Sequence, residues 1–197
     1  MELVVVGDNV DMRNWSIRDN NITQTNWQTE VNFSNISFWN NLRRGTVIVL
    51  YNRIINPVGT LYNIDSNKND GYIQLTLQTI GLFNGGAFGT APAWGGSTME
   101  IAGLGDLIQL RDASGTHIHA IGHRSTAGAD FTSIIGSKMN HSAASANGMS
   151  TFACPSRRLA DFNGPSGIAF ASMNTSFTRG LPNTCSAAGQ NKIFFDS

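Results

Sequence analysis

"GDLIQLRDASGTHIHAIGH", residues 105–123, carries the clearest backbone signal in the chain. Two segments of alternating apolar and polar residues flank Asp112-Ala113-Ser114-Gly115. Alternation of period two sends successive side chains to opposite faces of a strand, and glycine at 115 can take the positive φ of a tight connection. The stretch predicts a β-hairpin. Outward from it, residues 2–6 form an apolar run that ends at the turn cluster Gly7-Asp8-Asn9. "TVIVLY" at 46–51 is a stronger run, introduced by Gly45 and closed by Asn52. "YIQLTL" at 72–77 sets Tyr72, Gln74 and Thr76 against Ile73, Leu75 and Leu77, which predicts one buried and one wet face. Short strands separated by turn residues are the spacing of a sandwich or barrel.

Long Gly- and Asn-rich stretches, 84–98 and 124–150, separate these units, and loops of that length usually carry function or packing of their own. Neither an internal repeat nor a boundary between two cores stands out, so residues 1–197 read as a single domain. Hydrophobic residues make up 41% and charged residues 13% of the chain, a balance that favours a packed core over disorder. Asn, Ser, Thr and Gly abound where a helical protein would need good helix formers. The formal net charge is zero and the pI about 6.9, so no field draws the chain to nucleic acid. Arg43-Arg44 and Arg157-Arg158 are too short to form a basic patch. No apolar run reaches the roughly 20 residues of a membrane helix.

The start, "MELVVV", lacks the features of a signal peptide, so either the sequence begins after an export signal or the protein is cytoplasmic. Cys154 and Cys185 each sit in Ser-, Pro- and Asn-rich surroundings outside any C-x-x-C pair. That suits a structural disulfide in an oxidising compartment, with two unrelated buried thiols as the alternative. Asn-x-Ser/Thr triplets at Asn14, Asn21, Asn35 and Asn174 are expected by chance in so Asn-rich a chain.

"VDMRNWSIRDN", residues 10–20, resembles the Asp-Leu-x-Gly-Trp-x-Leu-x-Asp signature of the lamin tail domain family in its bacterial secreted form. Asp11, Met12, Asn14, Trp15, Ile17 and Asp19 stand in the matching places. "LRRGTVIVLYN" resembles the family's Leu-x-Pro-Gly followed by an apolar strand, with Arg44 in place of proline. The 105–123 stretch resembles its Gly-Asp-x-x-x-Leu-x-Asp-x-x-Gly hairpin, and "RGLPNT" its closing Gly-x-Pro-x-Asn. The family's usual Asn-Glu-containing first strand is not seen ahead of "MELVVV". The resemblance implies an immunoglobulin-like β-sandwich with long loops. In that frame Asp11 ends one segment, Asn14 lets the chain turn where the family has glycine, and Trp15 with Ile17 faces inward while Ser16 and Arg18 face water. A buried indole removes about 150 to 250 Å² from solvent, enough to organise a core.

His117 and His119, two apart on a strand, point to one face, and with His123 they form a candidate imidazole ligand set. No Cys or acidic partner completes it at a known spacing, and the competing reading is polar residues on the wet side of a hairpin. "DSNKNDG" at 65–71 alternates oxygen donors at Asp65, Asn67 and Asn69 like a calcium loop, but Asp70 and Thr76 fill the places where an EF-hand needs Gly and Glu. An ordinary polar turn is the alternative. For catalysis there is no nucleophile elbow, Walker loop or dinucleotide fingerprint, and Ser166 in "GPSG" reads as a turn. Trp27, Trp39 and Trp94 fall in loops or at strand ends, where exposed indoles could stack on sugars.

These residues lead to an all-β, immunoglobulin-like sandwich with no catalytic, cofactor-binding or metal-binding residue assigned. The resemblance implies a non-enzymatic structural or protein-interaction module of a bacterium, extracellular or at the cell surface, with a protein or surface glycan as partner. The alternative is a carbohydrate-binding module, with or without calcium. A hydrolase assembled from scattered residues stands third.

Overall fold

The computed structural model describes residues 1–54, 59–85, 98–141, 150–152 and 172–174. The hairpin of 105–123 is present as β7 (Asp106–Arg111) and β8 (His117–His123). Gly115 has φ 81°, and the Asp112 carboxylate accepts hydrogen bonds from the backbone N–H of Ser114 and of Thr116. The side chain thus closes the turn that glycine permits.

Around the hairpin grows a six-stranded sheet. It adds β2 (Ser16–Asn20), β3 (Trp27–Phe33), β6 (Phe83–Gly85) and β9 (Lys138–His141), in the order β6-β3-β2-β7-β8-β9. Its pairings are antiparallel except β8 with β9. A second sheet, ordered β1-β4-β5, contains β1 (Glu2–Val4), β4 (Val47–Tyr51) and β5 (Tyr72–Thr76), the last two parallel. Two further short strands, β10 (Ser150–Phe152) and β11 (Ser172–Asn174), pair with each other.

The main core lies between the two larger sheets. Ile17, Val31 and Phe33 meet Ile48, Leu50, Ile73 and Leu75, and Met12, Leu42, Leu77 and Phe83 complete the cluster. The chain is an all-β sandwich. The apolar runs expected at 46–51 and 72–77 are β4 and β5, with Ile48, Leu50, Ile73 and Leu75 in the core and Tyr72 and Gln74 half-exposed. Thr76 is an exception to the wet face: it is buried, and its hydroxyl lies 3.2 Å from that of Thr79 in the following turn.

The tryptophans change places relative to expectation. Asn14 does turn the chain, with φ 61°. Trp15, however, is only half-buried and packs at the margin of the cluster, while Ser16 is buried rather than wet. The indole sealed inside is Trp39, 0% exposed, at the end of a 3-10 helix (Ser37–Trp39). It meets Phe33 and Phe38 edge-on with ring centroids 4.7 Å apart in each case, and its N–H donates to the Leu82 carbonyl at 2.7 Å. The polar tip of the ring is therefore satisfied where the ring is buried.

The stretch 124–150, expected to be loop, contains α1 (Ala129–Ser133) and β9. α1 lies on a second, smaller cluster made by Leu107, Ala120 and Ile134, against which Trp27 and Phe131 pack. Lys138 anchors it: its ammonium donates to the carbonyls of Phe131, Thr132 and Ile134 at 2.8, 3.2 and 2.7 Å, gathering the carbonyls at the helix's C-terminal end. Gln24, fully buried with φ 56°, pins the neighbouring loop, donating to the Asp106 carbonyl at 2.6 Å and accepting from the Gly128 N–H at 2.9 Å. A Cβ at Gly122 would stand 2.8 Å from its amide nitrogen, so the close approach requires glycine there. Cys154, Cys185, Ser166 and Trp94 lie outside the described residues. Among the described residues no helix is long and apolar enough to cross a membrane.

Replacing the sealed indole empties the centre of the sandwich. Trp39→Ala should cost about 3 to 5 kcal/mol in urea denaturation, and Trp15→Ala clearly less. Equal losses, or the reverse order, would return the organising role to Trp15.

Candidate functional site

Strand register sets a polar row on the larger sheet. Arg18 on β2 stands opposite Glu30 on β3 and Gln109 on β7, and Ser16 stands opposite Arg111. Ile17, one position along, points into the main core, so Arg18 belongs to the other face. There its guanidinium lies 3.8 Å from the centroid of the Trp27 ring, and its Nε donates to Gln109 Oε1 at 2.7 Å. The Gln109 amide nitrogen is 2.9 Å from His117 Nδ1, and His117 Nε2 is 2.8 Å from the Ser137 carbonyl. An amide NH₂ can only donate and a carbonyl can only accept, so His117 is neutral with its proton on Nε2. Burial lowers the His117 pKa, Lys138 and Arg18 add to this, and the Ser137 carbonyl opposes it. Arg111 closes the row, donating to the Gly115 carbonyl at 2.8 Å and pairing with Glu30 at 3.3 Å.

The result is a half-exposed indole carrying a stacked arginine whose position is fixed through a chain of three further residues. Trp and Arg concentrate binding energy in protein interfaces, and side chains already held in place lose less entropy on association. Sequence reasoning placed Arg18 in water and did not connect it to Trp27 or Gln109. The signal was present in the alternation of "WQTEVNF", 27–33, whose Thr29, Val31 and Phe33 are all buried, which marks a strand with Trp27 at its head.

The three histidines do not converge. A register shift between Leu110 and Arg111 breaks the two-residue alternation, so His117 stands opposite Arg111 and His119 opposite Leu110. His119 Nδ1 is 2.8 Å from Ser137 Oγ, and His123 Nε2 donates to the Ala102 carbonyl at 2.8 Å. Among the described residues no group of three or more His, Cys, Asp or Glu is placed to hold a metal ion. The Ser137–His119 contact resembles a catalytic Ser–His pair, yet burial, with His117 adding, pulls His119 down to about 4. A general base works best with a pKa near the working pH, so this imidazole is poorly matched to activating a hydroxyl at neutrality.

The calcium-like loop is engaged with itself. Asp65 Oδ1 accepts from the Asn67 N–H, Asn67 Oδ1 from the Asn69 N–H, and Asp70 Oδ1 from the Tyr72 N–H. Lys68, from the middle of the loop, donates to the carbonyls of Ser37, Phe38 and Asn40 at 3.0, 3.3 and 3.0 Å. It ties the loop to the 3-10 helix that carries Trp39. Of the three candidate sugar platforms, Trp39 is buried, Trp27 carries Arg18 on one face, and Trp94 lies outside the described residues.

No family model, curated protein or solved structure matches this chain.

His119 makes a pH dependence testable. Its folded pKa of about 4 lies below the ordinary imidazole value of about 6.5. The folded chain therefore binds fewer protons than the unfolded one between these values, and the associated stability is complete above pH about 6.5 and lost as pH falls toward 4. In an NMR titration the His119 ring should remain neutral at pH 5. The stability advantage of the wild type over His119→Asn should shrink from pH 6.5 to 4, whereas an inflection near 6.5 would contradict the assignment.

Proposed function

We propose that this chain is a non-enzymatic protein-interaction module of the lamin-tail type, secreted by a bacterium or displayed on its surface, that engages its partner through the outer face of the larger sheet. The observation that carries the reading is the Arg18–Trp27 stack held by Gln109, His117 and Ser137. A partner suited to it offers a carboxylate to the guanidinium and an apolar edge to the indole. Support for the family comes from the separated motifs and from Asn14, whose φ of 61° is the conformation that the glycine of the signature would adopt most readily. Support for a binding role over catalysis comes from the mismatched pKa of His119. The loss of Trp39 as an exposed platform favours a protein partner over a glycan.

The test is saturable binding of the labelled chain to isolated bacterial envelope, before and after protease treatment, alongside a glycan array. Binding that protease abolishes should weaken about 10- to 30-fold in Arg18→Ala, at an unchanged melting temperature. Protease-resistant binding that follows particular glycans would transfer the function to sugar recognition. Absence of saturable binding on either surface would overturn the proposal.

A further inference from the structure

Residues 98–102 form a strap joined to both sheets. On the smaller sheet's side, the Thr98 N–H donates to the carbonyl of Asn52, just beyond β4, at 2.8 Å. The Asn52 side chain then clasps Met99 at both its N–H and its carbonyl, at 2.8 and 2.7 Å. Met99 itself is 0% exposed and belongs to the main core. On the larger sheet's side, the Glu100 N–H donates to Asp19 Oδ2 at 3.1 Å and the Ala102 N–H to Asp106 Oδ2 at 2.7 Å. The remaining carboxylate oxygens accept from the N–H of Thr29 and of Leu107.

Asp19 and Asp106 are 0% and 1% exposed. All four donors named are neutral amides, two of them from the strap. The ion pairs among the described residues, Asp11–Arg13 and Glu30–Arg111, involve neither carboxylate. The charged and titratable groups on the surrounding elements are turned to other partners. Glu100 accepts from Gln28, His123 holds the Ala102 carbonyl, and Arg124 holds the carbonyls of Thr23 and Thr126. Asp130 accepts from Asn20, Arg18 lies on Trp27 and Gln109, and Lys138 collects the α1 carbonyls.

We propose that docking of the 98–102 strap takes up protons on the Asp19–Asp106 pair, so that the strap clasps the two sheets in mildly acidic surroundings and loosens as pH rises. Burial is the main cause that pushes Asp19 up to about 6 and Asp106 up to about 7, and the charge of Asp19 raises Asp106 further. The backbone N–H bonds oppose this in both cases. With the strap lifted, the carboxyls meet water and return toward the ordinary value of about 3.9. The docked form therefore holds more protons between pH about 4 and 7, and linkage makes docking weaker as pH climbs through that window.

The experiment is amide hydrogen exchange on the full chain at pH 5.5 and 8.0, corrected for intrinsic exchange, with Leu50 on β4 as the core reference. Protection of the Glu100 and Ala102 amides, relative to Leu50, should fall about tenfold or more between the two pH values. Asp106→Asn, which removes one of the titrating charges, should flatten that fall. Strap protection that tracks Leu50 at both pH values overturns the proposal, as does a full pH step retained in a folded Asp106→Asn. Should that variant not fold, the wild-type comparison decides alone.

Discussion

The burial of Trp39 is the contact on which the rest of the molecule depends. Its ring touches Phe33 on β3, Phe38 beside it and Phe83 on β6, so one side chain joins a 3-10 turn to two strands of the larger sheet. Such large aromatic areas leaving water are the main stabilising contribution available to a chain with few charged residues. A polar device supports the same place: the ammonium of Lys68 holds three carbonyls of the 3-10 turn. Phe33 packs β3 onto this aromatic cluster, and the register of β3 on β2 brings Glu30 opposite Arg18. The Arg18–Glu30 pairing therefore inherits its geometry from the core behind it.

The larger sheet has two faces with different demands. Its inner face is covered by the smaller sheet. Its outer face is covered over Leu107 and Ala120 by α1, with Lys138 fixing the helix end. Elsewhere on that face, among the described residues, Arg18 bonds Gln109 and Arg111 pairs with Glu30, with Trp27 at the boundary with the α1 cluster. Trp27 serves both regions, one ring face receiving a guanidinium while its body packs on the smaller cluster. Buried charge is handled differently at the strap, where two carboxylates rely on neutral amides alone. That arrangement is costly when both are ionised, and it makes the clasp responsive to protons.

Much of the architecture was readable from particular residues. Gly115 in its turn, the runs that became β4 and β5, and Asn14 in a left-handed conformation follow from local rules of periodicity and φ. What escaped was decided by distant partners. Nothing local distinguishes Trp39 from Trp15, because both sit among polar and small residues near turns. Burial goes to the ring that finds Phe33 and Phe83 across the sandwich, and Phe83 is far along the chain. The histidines misled for a related reason: their spacing implies a shared face only if pairing is regular, and a one-residue shift in the hairpin removes that condition.

By itself, then, the sequence determined the class of fold, because alternation, β-branched runs and turn residues act within a few positions of one another. It also determined where several strands lie and which residues turn the chain. The tertiary structure decided which tryptophan is core, that Lys68 joins the 65–71 loop to the 3-10 turn, and that Arg18 meets Trp27. It alone brought Asp19 and Asp106 under one strap, 87 positions apart in sequence, a proximity that requires β2 and β7 to pair. Local patterns encode backbone geometry, whereas side-chain partnership depends on strand order, and strand order arises only when the sheets assemble.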